Sequence, residues 1–408
     1  MLPPVVIIPG AIALSLLLSD TSFLAGGLPE GAYVPTFARV VPILGVVALA
    51  AALDALLPGK IYPGPRTPCG DVPLYKDNAL KHCAAANLIF VVGIYFEYWE
   101  LGVLLRDFEC TIATLNLLAL LFCAFLYVKG LAFPDGPDAK RSGHGFVHDF
   151  FWGVELHPKF FGVVDIKRLL NCRVSMTFWM LHGVSALAFR ASPSLIALAI
   201  SQWLYLVKFF YWEPGYMYSL DITLDKAGFY ETWGVLVFVP SVYTVHTRVL
   251  MAQPEPHQSL VGAIALGAFS LLCVFLNWSV DAERQTFRRD YLNKTYKGSA
   301  NDFILAKYTT RDLSGERSTH TTALLCSGWW GWSRHPQYVF ELGIAWSWAA
   351  LGGNPFSCWG ASMGYAIVLT AILVHRVHRD EDKCALKYGK AYSEYRARVP
   401  WCCVPGLW

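Results

Sequence analysis

Arg284 and Arg288 stand four residues apart, so on a helix they share one face and can act as a pair of cationic clamps. Two polar, aromatic-rich cassettes follow them. The first runs Ser-Gly-Trp-Trp-Gly-Trp-Ser-Arg-His-Pro-Gln-Tyr from Ser327 to Tyr338 and contains Trp330, Arg334, Gln337 and Tyr338. The second starts at Arg376 and continues through Tyr392 to Tyr395. If its helix persists beyond Arg376, then Arg376, Asp380, Cys384 and Lys387 or Tyr388 recur at i, i+4, i+8 and i+11 or i+12, forming a stripe. An ordinary amphipathic helix with Asp-to-Lys pairs has the same spacing, and the Trp-rich partner cassette is what favours a binding role. Residues 339 to 374 between the cassettes are almost uncharged and are divided at Gly352-Gly353-Asn354-Pro355. They therefore predict a helical hairpin that returns both cassettes to one membrane face, where they close over a polar ligand.

A second feature lies upstream, in the apolar run Phe238-Val-Pro-Ser-Val-Tyr. Pro240 frees a backbone carbonyl that lipid cannot satisfy, so neighbouring protein, water or a cavity must meet it. Tyr243 comes nearly one turn later and can project its hydroxyl there, although a core tyrosine bonded to a carbonyl has the same look.

The elements that position these residues follow from composition. The chain has 408 residues, of which 55% are hydrophobic and only 15% charged, against about a quarter charged in a soluble domain. That excludes a soluble enzyme, and a net charge of +3 gives no reason to expect nucleic acid. Eleven cysteines are scattered without a CxxC pair, which argues against a zinc site and against a disulfide framework. The first apolar run has neither a basic n-region nor a cleavage site, and reads as a span.

The expected fold class is an all-α polytopic membrane protein with about ten transmembrane helices, its cytosolic loops and C-terminal tail forming the cofactor site. The candidate spans are roughly 4 to 24, 39 to 57, 83 to 105, 110 to 133, 172 to 189, 194 to 212, 228 to 250, 259 to 280, 338 to 353 and 356 to 374. The third is interrupted by Glu97 and Glu100, and the ninth is short. Of the 33 Lys and Arg residues, 26 fall in the loops after even-numbered spans and in the tail. The opposite face has Arg39, Arg106, Arg190 and Arg248, which puts both termini in the cytosol. We divide the chain into 1-258, a transmembrane region whose loops contribute to the substrate site, and 259-408, a transmembrane and cofactor-binding region, as parts of one integral unit.

The loop from 134 to 171 is unusual, because Asp149, Glu155, Asp165 and Asn171 lie among large apolar groups at membrane depth. An aromatic belt explains the aromatics, but ionisable groups there tend to be paired or functional. The Pro- and Gly-rich stretch after Tyr62 reads as a turn-rich connector. The adjacent Cys402 and Cys403 leave lipidation and plain packing both open.

Several motifs together resemble a known family. Asp149-Phe-Phe-Trp-Gly-Val-Glu-Leu-His-Pro, Asp165-Ile-Lys, Asn171-Cys-Arg, the Ser327 cassette, and Arg379-Asp-Glu-Asp-Lys-Cys with Lys387-Tyr-Gly are similar to the membrane sterol reductases, the Δ7, Δ14 and Δ24(28) enzymes and the reductase domain of the lamin B receptor. The likeness extends from about Tyr62 to Trp408. Tyr62-Pro-Gly-Pro, Glu213-Pro-Gly-Tyr, Asp221-Ile-Thr-Leu-Asp-Lys and Val239-Pro-Ser-Val-Tyr-Thr look most like the Δ7 (7-dehydrocholesterol) branch, whereas Pro336 is closer to the Δ14 type and Glu341 replaces the Asp of other relatives.

The resemblance implies ten spans, residence in the endoplasmic reticulum membrane, a sterol substrate and NADPH. It makes Arg284 and Arg288 the phosphate-binding pair, and matches Trp330, Arg334, Gln337, Tyr338, Arg376, Asp380, Cys384, Lys387, Tyr388 and Tyr395 to the cofactor site. No Gly-rich dinucleotide fingerprint is present, so side chains must meet the phosphates. A ring alkene is too weakly polarised to accept hydride directly, so an acid must protonate one carbon first. Tyr243 and Asp380 are the candidate acids, with Glu341, Asp221 and Asp225 behind them. Two other functions compete: a membrane methyltransferase using S-adenosylmethionine, suggested by Arg334-His-Pro-Gln-Tyr and Lys387-Tyr-Gly, and a non-catalytic sterol-binding scaffold.

Overall fold

The computed structural model describes all residues except 1–2, 26–29, 31–32, 68–69, 137, 254–257, 312–316 and 353–357. The turn expected at Gly353-Asn354-Pro355 lies outside the described residues. Among the described residues six helices are long and apolar enough to cross a membrane: Phe37–Leu56, Phe108–Ala132, Pro193–Tyr211, Phe229–Ala252, Leu260–Leu292 and Gly360–Tyr388. Pro4–Leu17 and Ala79–Tyr95 are shorter apolar helices, and Pro336–Leu351, at 16 residues, rises only about 24 Å. The chain forms two compact units: Met1–Thr67, Val72–Gly267 and Ala349–Tyr365 in the first, and Pro68–Asp71, Ala268–Trp348 and Ala366–Trp408 in the second.

The expected third span ends early, and its sequence shows why. Glu97 adopts a φ of 60°, the chain doubles back, and the Trp99 indole donates to the Phe90 carbonyl at 3.0 Å. A Cβ at Gly93 would lie 2.0 Å from that indole, so glycine is required where the ring folds onto its own helix. Residues 97 to 105 therefore form turns and a short 3-10 segment instead of continuing the helix.

Pro240 shapes the helix around it. Residues Phe229–Tyr243 wind as a π-helix, in which each N–H reaches back five residues, so Pro240 leaves the Val235 carbonyl without its donor. The Ser175 hydroxyl supplies it, from a second π-helical stretch at Leu169–Ser175. The Pro240 carbonyl accepts from Thr244 Oγ1 and from Arg248 Nη1. Around this helix the core packs Phe229 flat on Trp233 at 4.7 Å, and the Trp233 indole donates to Asn116 at 3.0 Å.

Several cytosolic loops expected from the sequence meet in a buried ion network. Arg173 bonds Glu213 through both terminal nitrogens, Nη2 at 3.0 Å, while its Nε donates to Asp54 at 2.9 Å. Arg168 reaches the same two carboxylates at 3.3 and 3.1 Å, and both arginines donate to Asn78 Oδ1 at 3.0 Å. Asp149, Glu155 and Asp165, singled out for their depth, are also paired: with Ser142, with Lys129, and with the Arg168 N–H and His157. Asn171 donates to the Tyr216 hydroxyl.

The all-α expectation needs correcting as well. It missed the short strand pairs Lys60–Pro63 with Leu74–Asp77 and Lys159–Phe160 with Val164–Asp165, and a long β-hairpin in the loop after the eighth span, Phe303–Arg311 paired with Arg317–Leu325. Its base is gripped on both sides. Ile304 and Leu324 pack on Tyr392, Tyr395 and Val399, while Ala323 and Leu325 pack on Val280, Phe287 and Trp330.

Breaking the buried network from one side strands a charge, so Arg173→Met or Glu213→Gln alone should destabilise by about 3 to 5 kcal/mol. Combining them should cost less than the sum by at least about 1 kcal/mol, as read by thermal or denaturant unfolding in detergent micelles. Additive losses would mean that the two side chains do not hold each other.

Candidate cofactor and proton-donor sites

In the second unit the Leu260–Leu292 helix extends well beyond its apolar part, carrying Arg284 and Arg288 one turn apart. The Arg284 guanidinium lies over the Trp330 ring at 4.2 Å, with Nη2 3.3 Å from Asp281. Trp330 is fixed in turn, because its indole donates to the Val280 carbonyl at 3.1 Å and the Tyr395 hydroxyl donates to its carbonyl at 3.4 Å. The short helix Trp329–Trp332 starts on Glu283, whose carboxylate accepts from the Trp329 N–H at 2.9 Å. Gly328 precedes it with a φ of 58°, and a Cβ there would meet that carboxylate at 1.9 Å, so the cassette needs glycine at this point.

The Gly364–Tyr388 helix is unbroken, and Arg376, Asp380 and Cys384 therefore lie on one row of it. Cys384 Sγ is 4.0 Å from an Asp380 oxygen. Lys387 Nζ sits 4.0 Å over the Tyr308 ring and 5.2 Å from the Tyr388 ring, with Arg288 and Lys383 close enough to act electrostatically on it. Tyr338 stacks on His335 at 5.5 Å. Gln337 accepts through its carbonyl from Asn277 at 2.9 Å, and its buried Oε1 has no hydrogen-bond partner among the described residues.

Arg334 is placed differently from a free phosphate donor. Its Nε and Nη2 grip Glu381 at 2.8 and 3.1 Å, and its Nη1 donates to the carbonyls of Val399 and Pro400 at 2.7 and 2.9 Å. Glu381 also accepts from the Tyr392 hydroxyl at 2.6 Å and lies 3.4 Å from His335 Nε2. Backbone N–H groups of Arg334 and His335 donate to Trp401 and Cys402 at 3.0 and 2.8 Å, binding the tail to the first cassette. Burial opposes the charge on Arg334, yet the Glu381 carboxylate outweighs it and raises the guanidinium above its ordinary range. Burial and the same carboxylate push the Tyr392 phenol well above the usual tyrosine range.

In the first unit, Tyr243 stands among aromatic faces. Tyr365 lies at 4.8 Å, Trp179 at 5.4 Å and Phe238 at 6.0 Å between ring centroids. Tyr365 is buried and also meets His246 at 5.5 Å, with His246 bonded to Gln202. Beside this group Arg248 stacks over Phe108 at 4.3 Å and donates to the Leu18 carbonyl at 2.7 Å. Of the weaker acid candidates, Asp221 accepts from the Tyr216 hydroxyl at 3.4 Å, and the carbonyl of Asp225 accepts from Lys167 at 2.6 Å. Glu341 lies in the Pro336–Leu351 helix of the second unit.

This geometry can be set against known proteins. The pattern of the Ergosterol biosynthesis ERG4/ERG24 family matches residues 29–408. The chain belongs to that family. It is similar to the 7-dehydrocholesterol reductase of Arabidopsis thaliana, 37% identical over 88% of this chain and 83% of the relative. It is 29% identical to the 7-dehydrocholesterol reductase of Danio rerio over 87% of this chain and 75% of the relative. The Delta(14)-sterol reductase of Methylotuvimicrobium alcaliphilum is also 29% identical, over 88% of this chain and 80% of the relative. These relatives are oxidoreductases named for sterol reduction, and membership decides between the families that the Ser327 cassette resembles, in favour of the sterol reductases and against the methyltransferases.

Within this ERG4/ERG24 chain six of the twelve expected cofactor residues fall into three groups. Arg284 and Trp330 are in contact, and Tyr395 bonds the latter. Lys387 and Tyr388 form a second group with Tyr308. Arg334 belongs to the Glu381 hub instead. Sequence reasoning missed the Glu381 hub and, in the hairpin, the cross-strand pair of Tyr308 and His320, whose rings lie 5.3 Å apart. For the last two the signal was a run rich in β-branched residues, Tyr308-Thr-Thr and Ser318-Thr-His-Thr-Thr, which favours a pleated strand. Glu381→Ala should strand Arg334 and release the tail, costing about 3 kcal/mol. Limited trypsinolysis should then cut faster at Arg396 and Arg398, and an unchanged cleavage rate would remove Glu381 from this role.

Proposed function

We propose that this sterol reductase family member uses NADPH to reduce the Δ7 double bond of a 7-dehydrocholesterol-type sterol. The observation that carries the choice of bond is the 37% identity over 88% of the chain to a protein named 7-dehydrocholesterol reductase, against 29% to a named Delta(14)-sterol reductase. Pro336 in the first cassette supports the Δ14 bond as the second reading. The proposal includes ten spans, with both termini and the cofactor residues on the cytosolic side of the endoplasmic reticulum membrane, and membrane lipid around them.

The residues present fit a phosphate-bearing dinucleotide. Arg288, Lys383 and Lys387 gather beside aromatic rings, with the Asp380 carboxylate also acting on Lys387, a basic setting that suits an anionic ligand. In addition, the buried Gln337 Oε1 offers an acceptor that no described group uses. In the proposal Arg284, Arg288 and Lys387 meet the phosphates, Trp330 and Tyr388 offer flat faces, and Arg376, Asp380, Cys384, Tyr338 and Tyr395 complete the setting. Arg334 acts as a brace through Glu381. NADPH, when bound, supplies the hydride.

The chain itself must supply the proton. A phenol remains protonated at neutral pH, and Tyr243 gives its proton to one alkene carbon, leaving the positive charge on the other until hydride arrives. The phenolate is then reprotonated, and Asp380 is the second candidate acid, either tuning the tyrosine or relaying protons from the cytosol. Rings of Trp179, Phe238 and Tyr365 around Tyr243 present π faces, each able to stabilise a nearby cation by roughly 0.5 to 2 kcal/mol. Their apolar bulk also excludes water that would otherwise capture the cation.

The experiment is incubation of the purified protein with NADPH and, separately, 7-dehydrocholesterol, a Δ14-sterol and a Δ24(28)-sterol, with product identification. Only the Δ7 substrate should be reduced; reduction only of the Δ14-sterol overturns the choice of bond. Tyr243→Phe should lower turnover by about a hundredfold or more while NADPH binding stays within about twofold. Full turnover in that variant would remove Tyr243 from the chemistry.

A further inference from the structure

The short strand pair Lys159–Phe160 with Val164–Asp165 ends in a tip that is apolar and bare: Phe161 is 99% exposed and Val163 81%. Phe161 and Gly162 make the turn, with φ of 51° and 70°, and the Val163 N–H donates to the Phe160 carbonyl at 3.0 Å. Both central residues are left-handed, a turn for which asparagine or aspartate before glycine is the ordinary choice in water. Here the first of the two positions holds a phenylalanine instead, a residue that the left-handed backbone disfavours and that water disfavours as well.

The place of the tip supplies a reason. Phe160 meets Phe122 at 5.9 Å between ring centroids, and Phe122 stacks on Phe125 at 5.8 Å. Both partners lie on the unbroken Phe108–Ala132 helix, which is long and apolar enough to cross a membrane. Lys129 marks the charged end of that helix, paired with Asp135 and, at 2.8 Å, with Glu155. Phe122 comes a full two turns before Lys129, about 10 Å down the axis. The hairpin therefore hangs back along the helix from the level of the charges. Its stem is held by the Lys159 N–H on Asp135 at 2.6 Å and by Phe160 on the cluster of Leu126, Ile166 and Leu170. Leu121, Phe125 and Val128, at i, i+4 and i+7 of the same helix, are exposed. A single exposed apolar residue needs no explanation, but this tip continues the bare apolar face of a membrane-crossing helix through a line of stacked rings. We propose that the hairpin dips into the membrane, with Phe161 and Val163 seated among phospholipid acyl chains beside the Phe108–Ala132 helix. The amides of the turn itself lie outside the strand ladder and need water or headgroup oxygens, so the tip stops at the boundary between headgroups and chains. The loop from 134 to 171 is then held by the membrane in its middle as well as by helices at its ends, whichever sterol bond the protein reduces.

The test places the photo-crosslinking residue p-benzoylphenylalanine at position 161, 125 or 297 of the full chain, reconstituted in vesicles of a single phosphatidylcholine, with a thermal melt of each variant to show that it is folded. Position 125 is the lipid-facing reference and Lys297, exposed in a polar loop, the aqueous one. After irradiation the intact protein is weighed by mass spectrometry. The variants at 161 and 125 should each gain the mass of one phosphatidylcholine, with fragmentation placing the new bond on an acyl chain, and the variant at 297 should gain none. Position 163 carries the same test and the same expectation if replacement at 161 prevents folding. A folded variant at 161 that stays unmodified, as at 297, overturns the proposal. Crosslinking of 161 to a second protein chain, seen as a dimer on a denaturing gel, overturns it too, because the tip would then face another copy and not lipid.

Discussion

An apolar helical chain leaves a polar group unmet only at a cost where water does not reach, and much of this structure follows from that constraint. Pro240 removes one backbone donor, and the response is a local one: the helix widens to a π register and the Ser175 hydroxyl takes the Val235 carbonyl. The terminal nitrogens of Arg248 are met in the same manner, by carbonyls and a hydroxyl, and its guanidinium lies over the face of Phe108. The larger charges are handled collectively. Arg168 and Arg173 share Asp54, Glu213 and Asn78, so segments far apart in sequence are locked by donors and acceptors that have few other partners to turn to. Such a network contributes uniqueness of arrangement more than net stability, since its desolvation cost is high.

The same constraint separates two kinds of chemistry. Around Tyr243 the neighbours are aromatic, a setting that suits the proton transfer proposed for its hydroxyl. In the second unit the helices run past their apolar lengths, so Arg284, Arg288 and Lys387 keep their charge in reach of solvent, with Asp281 beside Arg284. Arg334 is the exception in that unit. It is buried, and its partner Glu381 draws in Tyr392, while the tail carbonyls at Val399 and Pro400 use its remaining donors. A guanidinium with five fixed donors suits this bracing role in a way that lysine would not.

Much of this was legible in the sequence because it depends on local spacing. The i, i+4 placement of Arg284 and Arg288 and the helical row of Arg376, Asp380 and Cys384 need only a continuous helix, and both helices are continuous. The pairing of Asp149, Glu155 and Asp165 followed from their cost at depth, although the partners Ser142, Lys129 and His157 could not be named. What was not legible depends on tertiary packing. Trp99 folding onto Gly93 ended a helix that hydropathy alone extended to residue 105. The 303 to 325 hairpin was overlooked because its strands lie in a basic loop and owe their stability to the faces of Tyr392, Tyr395, Phe287 and Trp330. Arg334 was matched to the cofactor cassette by resemblance, and its spacing could not show that Glu381 is bound to it.

The central claim is that one hydrogen reaches the sterol as a proton from the chain and the other as a hydride from the nucleotide. Isotope tracing tests it directly. One reaction is run with nicotinamide-deuterated NADPH in ordinary water and a second with ordinary NADPH in deuterated water, and each sterol product is located by mass spectrometry and NMR. The account predicts one deuterium in each product, on opposite carbons of the former ring double bond. Deuterium from solvent at both carbons, with none from the nucleotide, would contradict it.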